Sequence, residues 1–325
     1  RSMTCATAPG KIILFGEHAV VYGRPAIAAP VSQLRATAVV EDSRTPGIRL
    51  LAADLGTDIQ LDDAAEDDPV AAVVRQLQLA AQLARLPDLT ITVTSQIPIA
   101  SGLGSGAAIT AAVIRALARH LGLAQLSSDE WVSSLTYEIE KIHHGTPSGI
   151  DNTVVAYEKP VYFVRQQPQN RIETFAVGEP LRLLVADTGQ SSSTKAVVGD
   201  VRRQWLAETA HFEALFDGCG RIARQARQVI EAGDVARVGR LMDDNHQLLQ
   251  DMTVSSAALD ALVRAAREAG ALGAKLSGAG RGGNMIALVT AERETAVFHA
   301  LQQAGARSIL TTVIPSTSPN PDYEI

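Results

Sequence analysis

Pro98-Ile-Ala-Ser-Gly-Leu-Gly-Ser-Gly-Ala-Ala108 is the stretch on which the reading of this chain turns. Gly102, Gly104 and Gly106 permit close backbone approach and left-handed dihedrals. Upstream, Leu89-Thr-Ile-Thr-Val-Thr94 alternates strictly and predicts a half-buried strand, which Pro98 stops. Downstream, Ile109, Val113, Ile114, Leu117 and Leu121 recur at helical spacing. A glycine loop that opens a helix sits beside free N–H groups and the positive end of the helix dipole, which suits a phosphate. Ser105 adds a hydroxyl for a phosphate oxygen or a metal ion. The spacing is neither the Gly-Lys-Ser/Thr phosphate loop nor the dinucleotide pattern. The plain alternative is a tight turn that caps a helix.

The rest of the 325 residues bounds what such a loop can serve. At 46% hydrophobic the chain can bury a sizeable core, and its length predicts one large or two medium domains. Abundant alanine favours a helix-rich protein. The net charge is −6 with both signs mixed, and no Lys/Arg block marks a nucleic-acid footprint. Cys5 and Cys219 form no CxxC and no metal spacing, which points to a reducing compartment. No apolar run is long enough to span a membrane. Arg1-Ser2 ahead of Met3 resemble a cloning remnant, and no signal-peptide core follows. A cytoplasmic location is expected.

Working outward, Ile12–Phe15 and Ala36–Glu41 predict short strands, and polar Gly56–Asp68 predicts a loop. Val70 to Leu83 carries helical spacing. Ser127-Ser-Asp-Glu130 predicts a helix start with Ser127 as N-cap, running to about His143. Gly145–Gly149 predicts a turn. Val161–Val164 and Ile172–Val177 predict a hairpin, and Leu181–Ala186 a buried strand. Ser193–Ala269 is helical in spacing, with breaks expected at Gly218–Gly220, Gly233 and near Thr253. Strands at Ala274–Leu276, Met285–Val289 and Ser308–Val313 follow, the last two separated by a helix over Ala291–Gln303. The tail after Pro315 is expected to fray. A domain boundary is expected at Gly178–Pro180.

Three further stretches carry possible chemistry. In Ala8-Pro-Gly-Lys-Ile-Ile-Leu-Phe-Gly-Glu-His18, Lys11 stands at the mouth of an apolar strand and Glu17 and His18 at its other end. An ammonium there lowers the cost of negative charge on a hydroxyl or phosphate. In Glu140-Lys-Ile-His-His-Gly-Thr-Pro-Ser-Gly-Ile-Asp151, Asp151 follows a Gly/Pro turn and begins no evident helix. Two carboxylates suit phosphoryl transfer, one holding Mg²⁺ and one accepting the proton of the attacking hydroxyl. Adjacent His143 and His144 point apart and lack a third ligand, which argues against zinc. Lys275-Leu-Ser-Gly-Ala-Gly-Arg-Gly-Gly-Asn284 is a second glycine turn between strands. It reads either as a phosphate nest or as a plain hairpin.

These glycine-bearing stretches, in this order from Ala8 to Val289, resemble the three motifs of the GHMP kinase superfamily. Within it the chain resembles the mevalonate kinase family. The similarity is carried by Ala8 to Gly23, by His144-Gly-Thr-Pro-Ser-Gly-Ile-Asp151, and by Leu241-Met-Asp-Asp-Asn-His-Gln-Leu-Leu249 with Val254-Ser255.

The resemblance implies an α+β, two-domain GHMP kinase fold. Residues 3–179 would form a domain like ribosomal protein S5 domain 2. Residues 180–325 would form a ferredoxin-like domain with helices on a small antiparallel sheet. It implies ATP-dependent phosphorylation of (R)-mevalonate to 5-phosphomevalonate, in the mevalonate pathway of isoprenoid biosynthesis, with ATP and Mg²⁺ and usually as a homodimer.

By motif, Asp151 matches the catalytic base and Lys11 the lysine beside it. Glu140 matches the Mg²⁺ carboxylate, with Ser105 as a second ligand. Pro98, Ser101, Gly102, Leu103, Gly104, Ser105, Gly106 and Ala107 match the ATP loop. Lys11, Glu17, His18, Ser148, Asp151, Thr194, Gly278 and Ala279 match substrate-side positions. The chain departs from the family at Gly106, where a second serine is usual, at Arg281 within the third glycine run, and at Asn284, where cysteine is common. Arg281 is expected to face solvent.

Two rival readings keep the fold. One is a phosphomevalonate kinase or mevalonate 3-kinase, of which the first would need extra cations near Asp151, where only Lys141 and Lys195 stand. The other is a non-catalytic sensor, which would be expected to lack Lys11 or Asp151.

Overall fold

A computed structural model describes residues 2–99, 101–144 and 147–317, with the side chains of 143 and 144 excepted. The chain forms two compact units. One comprises residues up to Lys11 with Pro30–Glu158, and the other Ile12–Ala29 with the residues from Lys159 onward.

The first two strands are longer than local pattern suggests: β1 spans Met3–Phe15 and β2 spans Ala26–Asp42. In the first unit, β3 (Ile48–Ala52) pairs antiparallel with β4 (Thr57–Gln60). The polar stretch expected to be a loop therefore holds a strand. Ile59 lies opposite Leu50, and Asp58 takes Arg49 as its ion-pair partner at 3.0 Å, so the polar residues sit on a solvated edge. α1 (Pro69–Ala80) starts where Asp68 accepts the Ala71 N–H at 2.8 Å with proline at the first position. β5 (Leu89–Ser95) runs parallel to β3 and antiparallel to β2, giving the order β4-β3-β5-β2.

α2 (Ser105–His120) is the buried centre of this unit, and α1, α3 (Asp129–His144) and α4 (Ile150–Tyr157) pack on it. Its small Ala-rich surface lets three helices approach at once. Two expectations need correction here. Ser128, not Ser127, receives the Trp131 N–H at the start of α3. The Ser127 hydroxyl turns back to the Ala124 carbonyl in the preceding 3₁₀ turn. Asp151 does stand in a helix, as the second residue of α4. Gly145 and Thr146 of the expected turn lie outside the described residues.

In the second unit, β6 (Val161–Val164) pairs with Ala26–Ala28 of β2 and, as a hairpin, with β7 (Arg171–Thr174). β8 (Leu181–Asp187) is followed by α5 (Thr194–Ala207), α6 (Thr209–Ala232), α7 (Val235–Asp251) and α8 (Ala257–Glu268). β9 (Gly273–Ser277), β10 (Asn284–Val289), α9 (Glu294–Gln303) and β11 (Ser308–Ile314) complete it. The sheet order is β11-β8-β10-β9 with every pair antiparallel, the arrangement of a split βαβ fold of ferredoxin type.

Leu184, Phe212, Phe216, Leu249, Leu262, Leu276 and Met285 share its apolar core. α6 runs unbroken through Gly218–Gly220, against expectation. A Cβ at Gly218 would come within 2.9 Å of Leu248 Cδ1, so this glycine lets α7 approach α6 and does not end the helix. Thr317 is tied to Val177 through two hydrogen bonds, so the tail is held at least that far. Residues 318–325, the rest of the tail expected to fray, lie outside the described residues.

Candidate active site

In the first unit, the loop before α2 is built from its own bonds and from β1. The Ser101 hydroxyl donates to the Pro98 carbonyl at 2.7 Å, closing the turn. Leu103 is buried, and its carbonyl accepts the Lys11 N–H at 2.8 Å. Gly104 has φ 72° and caps α2; a Cβ there would lie 2.8 Å from Lys11 Cγ. Glycine at 104 is therefore required both by the backbone and by the lysine stem beneath it. Ala108 N–H bonds the Gly104 carbonyl at 3.0 Å, so the earlier amides at Ser105, Gly106 and Ala107 start the helix with no intrahelical acceptor.

Asp151 reaches Lys11 because α4 is anchored at its start. Gly149 takes φ 95°, its carbonyl accepts the Thr153 hydroxyl at 2.6 Å, and Ser148 Oγ accepts the Ile150 N–H at 3.2 Å. Asn152 donates to the Ser133 carbonyl and hydroxyl on α3. Lys11 Nζ then lies 3.3 Å from Asp151 Oδ1. Glu140, near the end of α3, is buried, and its Oε1 would be 3.7 Å from a Cβ at Gly106. Lys11, Asp151, Glu140 and the glycine loop are thus one cluster. Beside the loop, Ala52, Leu55, Val93, Ile97, Ile99 and Ile109, together with Asp54 and Ser95, line a small recess.

In the second unit, His18 reaches the β9–β10 turn and Glu17 reaches β9 itself. His18 is buried with φ 63°, and its Nε2 donates to the Ala279 carbonyl at 2.7 Å. Burial pushes its pKa down and nearby Arg281 adds to that, against the raising effect of the Ala279 bond. Glu17 forms a fully buried ion pair with Lys275, whose Nζ also donates to the Leu276 carbonyl at 2.7 Å. Burial lowers the Lys275 pKa, and the Glu17 carboxylate opposes that.

Sequence reasoning did not single out Lys275. Its signal was a charged residue inside an otherwise apolar strand. Gly278 follows β9 with φ 93° and open space around it. Thr194 is the exposed first residue of α5, behind the Ser193 cap.

Arg281 does not face solvent as expected. Its guanidinium pairs with Asp200 on α5 and donates to the Thr253 carbonyl at 3.1 Å. Its own N–H bonds the Val254 carbonyl at 2.7 Å, and Ser192 Oγ donates to the Gly280 carbonyl at 2.7 Å. The turn is fastened from several sides, which occupies the arginine. The side chains of His143 and His144 lie outside what is described. Among the described residues no cluster of His, Cys, Asp and Glu could hold a metal by itself. No described helix is long and apolar enough to cross a membrane.

Residues 69–159 match the family model for the GHMP kinases N terminal domain, and 226–307 that for GHMP kinases C terminal. A mevalonate kinase of Thermococcus sibiricus is 38% identical, with 95% of each chain covered. The crystal structure of L. major mevalonate kinase in complex with R-mevalonate shares 31% identity at a TM-score of 0.81, covering 98% of this chain and 97% of that one. The Methanococcus jannaschii mevalonate kinase structure gives a TM-score of 0.84 at 25% identity, covering 98% and 99%. The chain therefore belongs to the GHMP kinases, within the mevalonate kinase group of that family.

Proposed function

We propose that the protein transfers the γ-phosphoryl group of ATP to the 5-hydroxyl of (R)-mevalonate, giving ADP and 5-phosphomevalonate for isoprenoid synthesis. The observation that carries this reading is the Lys11–Asp151 pair at 3.3 Å, held against the glycine loop, in a chain 38% identical to a mevalonate kinase. Asp151 accepts the proton of the attacking hydroxyl, and Lys11 offsets charge on the alkoxide and the moving phosphoryl group. Backbone N–H groups from Ser101 to Ala107 receive the phosphates, helped by the positive end of α2. By resemblance, Ser148 is a substrate-side position of the first unit, and Glu17, His18, Thr194, Gly278 and Ala279 are substrate-side positions of the second.

Mg²⁺ fits the donor set. A buried carboxylate, Glu140, faces the start of α2, and Ser105 supplies a hydroxyl on that first turn. When bound there, the ion would neutralise phosphate charge. We extend the proposal to a family domain boundary near Gly178–Pro180, which lies between the two family-model matches and just before β8. A cytoplasmic homodimer belongs to the same reading, and sedimentation tests the dimer.

A phosphorylated acceptor is disfavoured. Of the two cations expected near Asp151, Lys141 is paired with Glu138 at 3.0 Å and lies over the Tyr137 ring. A non-catalytic sensor is disfavoured by the presence of both Lys11 and Asp151. Profiling mevalonate against 5-phosphomevalonate, with ³¹P NMR of the product, tests the assignment. Phosphorylation at C5 of mevalonate is expected; preferential turnover of 5-phosphomevalonate, or transfer to the 3-hydroxyl, overturns it.

A further inference from the structure

We propose that Arg115, ten residues into α2, is a positioning residue for the phosphoryl transfer proposed above, setting Asp151 against Lys11. It is the one charged residue among the buried positions of α2 and is 6% exposed. Its guanidinium reaches three elements at once. It donates to the Thr7 carbonyl at 3.3 Å on β1, to the Ala156 carbonyl on α4, and pairs with Asp129 Oδ1 at 3.2 Å at the start of α3. These are the elements that carry Lys11, Asp151 and Glu140.

The chemistry at each contact is specific. α4 has only eight residues, too short to be stable by itself, so its position depends on what holds its ends. Ser148 and Gly149 hold the first end. The Ala156 carbonyl is among the last four of the helix, has no intrahelical donor, and lies where a cation is favoured. Arg115 fills that role. Thr7 stands four residues before Lys11 on β1, and Ala156 five residues after Asp151 on α4. One rigid, planar fork bonded to both carbonyls therefore fixes the register between the strand of the lysine and the helix of the aspartate. Stability alone would be served as well by an apolar side chain in this Ala- and Ile-rich helix. A buried guanidinium is costly unless its geometry is used.

The inference rests on the kinase reading, and the test separates the two. Arg115→Lys keeps the charge, but its donors share one nitrogen and cannot replace the two separate guanidinium nitrogens that reach Thr7 and Ala156. At 25 °C the folded variant is expected to lose about tenfold or more in kcat, as misplacement by an ångström or less can cost that much, with KM for ATP within about twofold. Hydrogen exchange should quicken in the 150–157 segment and stay unchanged in 107–114.

Asp129→Asn removes a half-exposed carboxylate that orients the guanidinium and leaves the core intact. It should move kcat and exchange in the same direction by about threefold. A folded Arg115→Lys protein with wild-type kcat and wild-type exchange at 150–157 overturns the proposal. If Arg115→Lys does not fold, unchanged kcat and exchange in Asp129→Asn overturn it. If wild-type protein releases no ADP with mevalonate, the kinase reading fails and the exchange measurements alone decide the role of Arg115.

Discussion

Lys11 Nζ stands 3.3 Å from Asp151 Oδ1, with the lysine nearly buried and the aspartate half-open to solvent. As the proposed base and its electrostatic partner, the two are expected to act as a unit. Asp151→Asn should lower kcat about 10²- to 10⁴-fold while ATP binding by calorimetry stays within a few-fold of wild type. Lys11→Met should fall comparably, and the double variant should be little slower than the worse single one. Multiplied losses in the double variant would show that the two residues work independently.

Gly106 faces Glu140. A Cβ there would be 3.7 Å from Glu140 Oε1, and the residue sits in the first turn of α2 without a left-handed φ. Gly106→Ser should therefore be accepted and should stabilise the helix by about 0.5 kcal/mol. The half-saturating Mg²⁺ concentration in the assay should fall. A lower Tm, or a higher Mg²⁺ requirement, would contradict the placement of Glu140 at this turn.

Gly104 and Gly278 both have positive φ, 72° and 93°, yet only Gly104 has a neighbour in the way: a Cβ added there would stand 2.8 Å from Lys11 Cγ. Gly278→Ala should cost about 1 kcal/mol in urea unfolding, the strain of the backbone alone. Gly104→Ala should cost more and should also raise KM for ATP, because the loop must lift from the lysine stem. Equal effects at the two sites would show that the contact with Lys11 is unimportant.

His246 gives the pH dependence of stability. Its Nδ1 accepts the Leu276 N–H at 3.1 Å and its Nε2 donates to Asp260 at 2.9 Å. Burial drives its pKa down to about 4, against the raising pull of Asp260. The unfolded chain binds this proton near pH 6.5, so between there and pH 4 acid favours unfolding. Stability should fall with falling pH by as much as roughly 3 kcal/mol across that window. His18, lowered in the same direction, steepens the loss. Urea midpoints at pH 7.5 and pH 5 measure it, and a midpoint that rises on acidification would contradict the buried neutral imidazole.

Much of this was legible in the sequence because it is local. The glycine loop, the strand before it and the helix after it are written in adjacent residues. The motif residues Lys11, Glu140 and Asp151 could be named by resemblance, but their meeting depends on long-range packing of β1 and α4 against α2. Arg115 left no legible mark, since two of its partners are main-chain carbonyls, which no side-chain pattern encodes. Lys275 was hidden by the same ambiguity that makes any single lysine look solvated. Gly218 misled because a glycine that admits a neighbouring helix and one that ends a helix look alike in a row of letters. Arg281 misled because its partners, Asp200 and Thr253, lie far away in sequence.

The most direct test is ADP release on addition of (R)-mevalonate to protein, ATP and Mg²⁺, with wild type and Asp151→Asn measured side by side. Wild type should release ADP in a mevalonate-dependent way, matched by 5-phosphomevalonate formation and nearly abolished in the variant. ADP release that ignores mevalonate, or that survives undiminished in Asp151→Asn, would contradict this expectation.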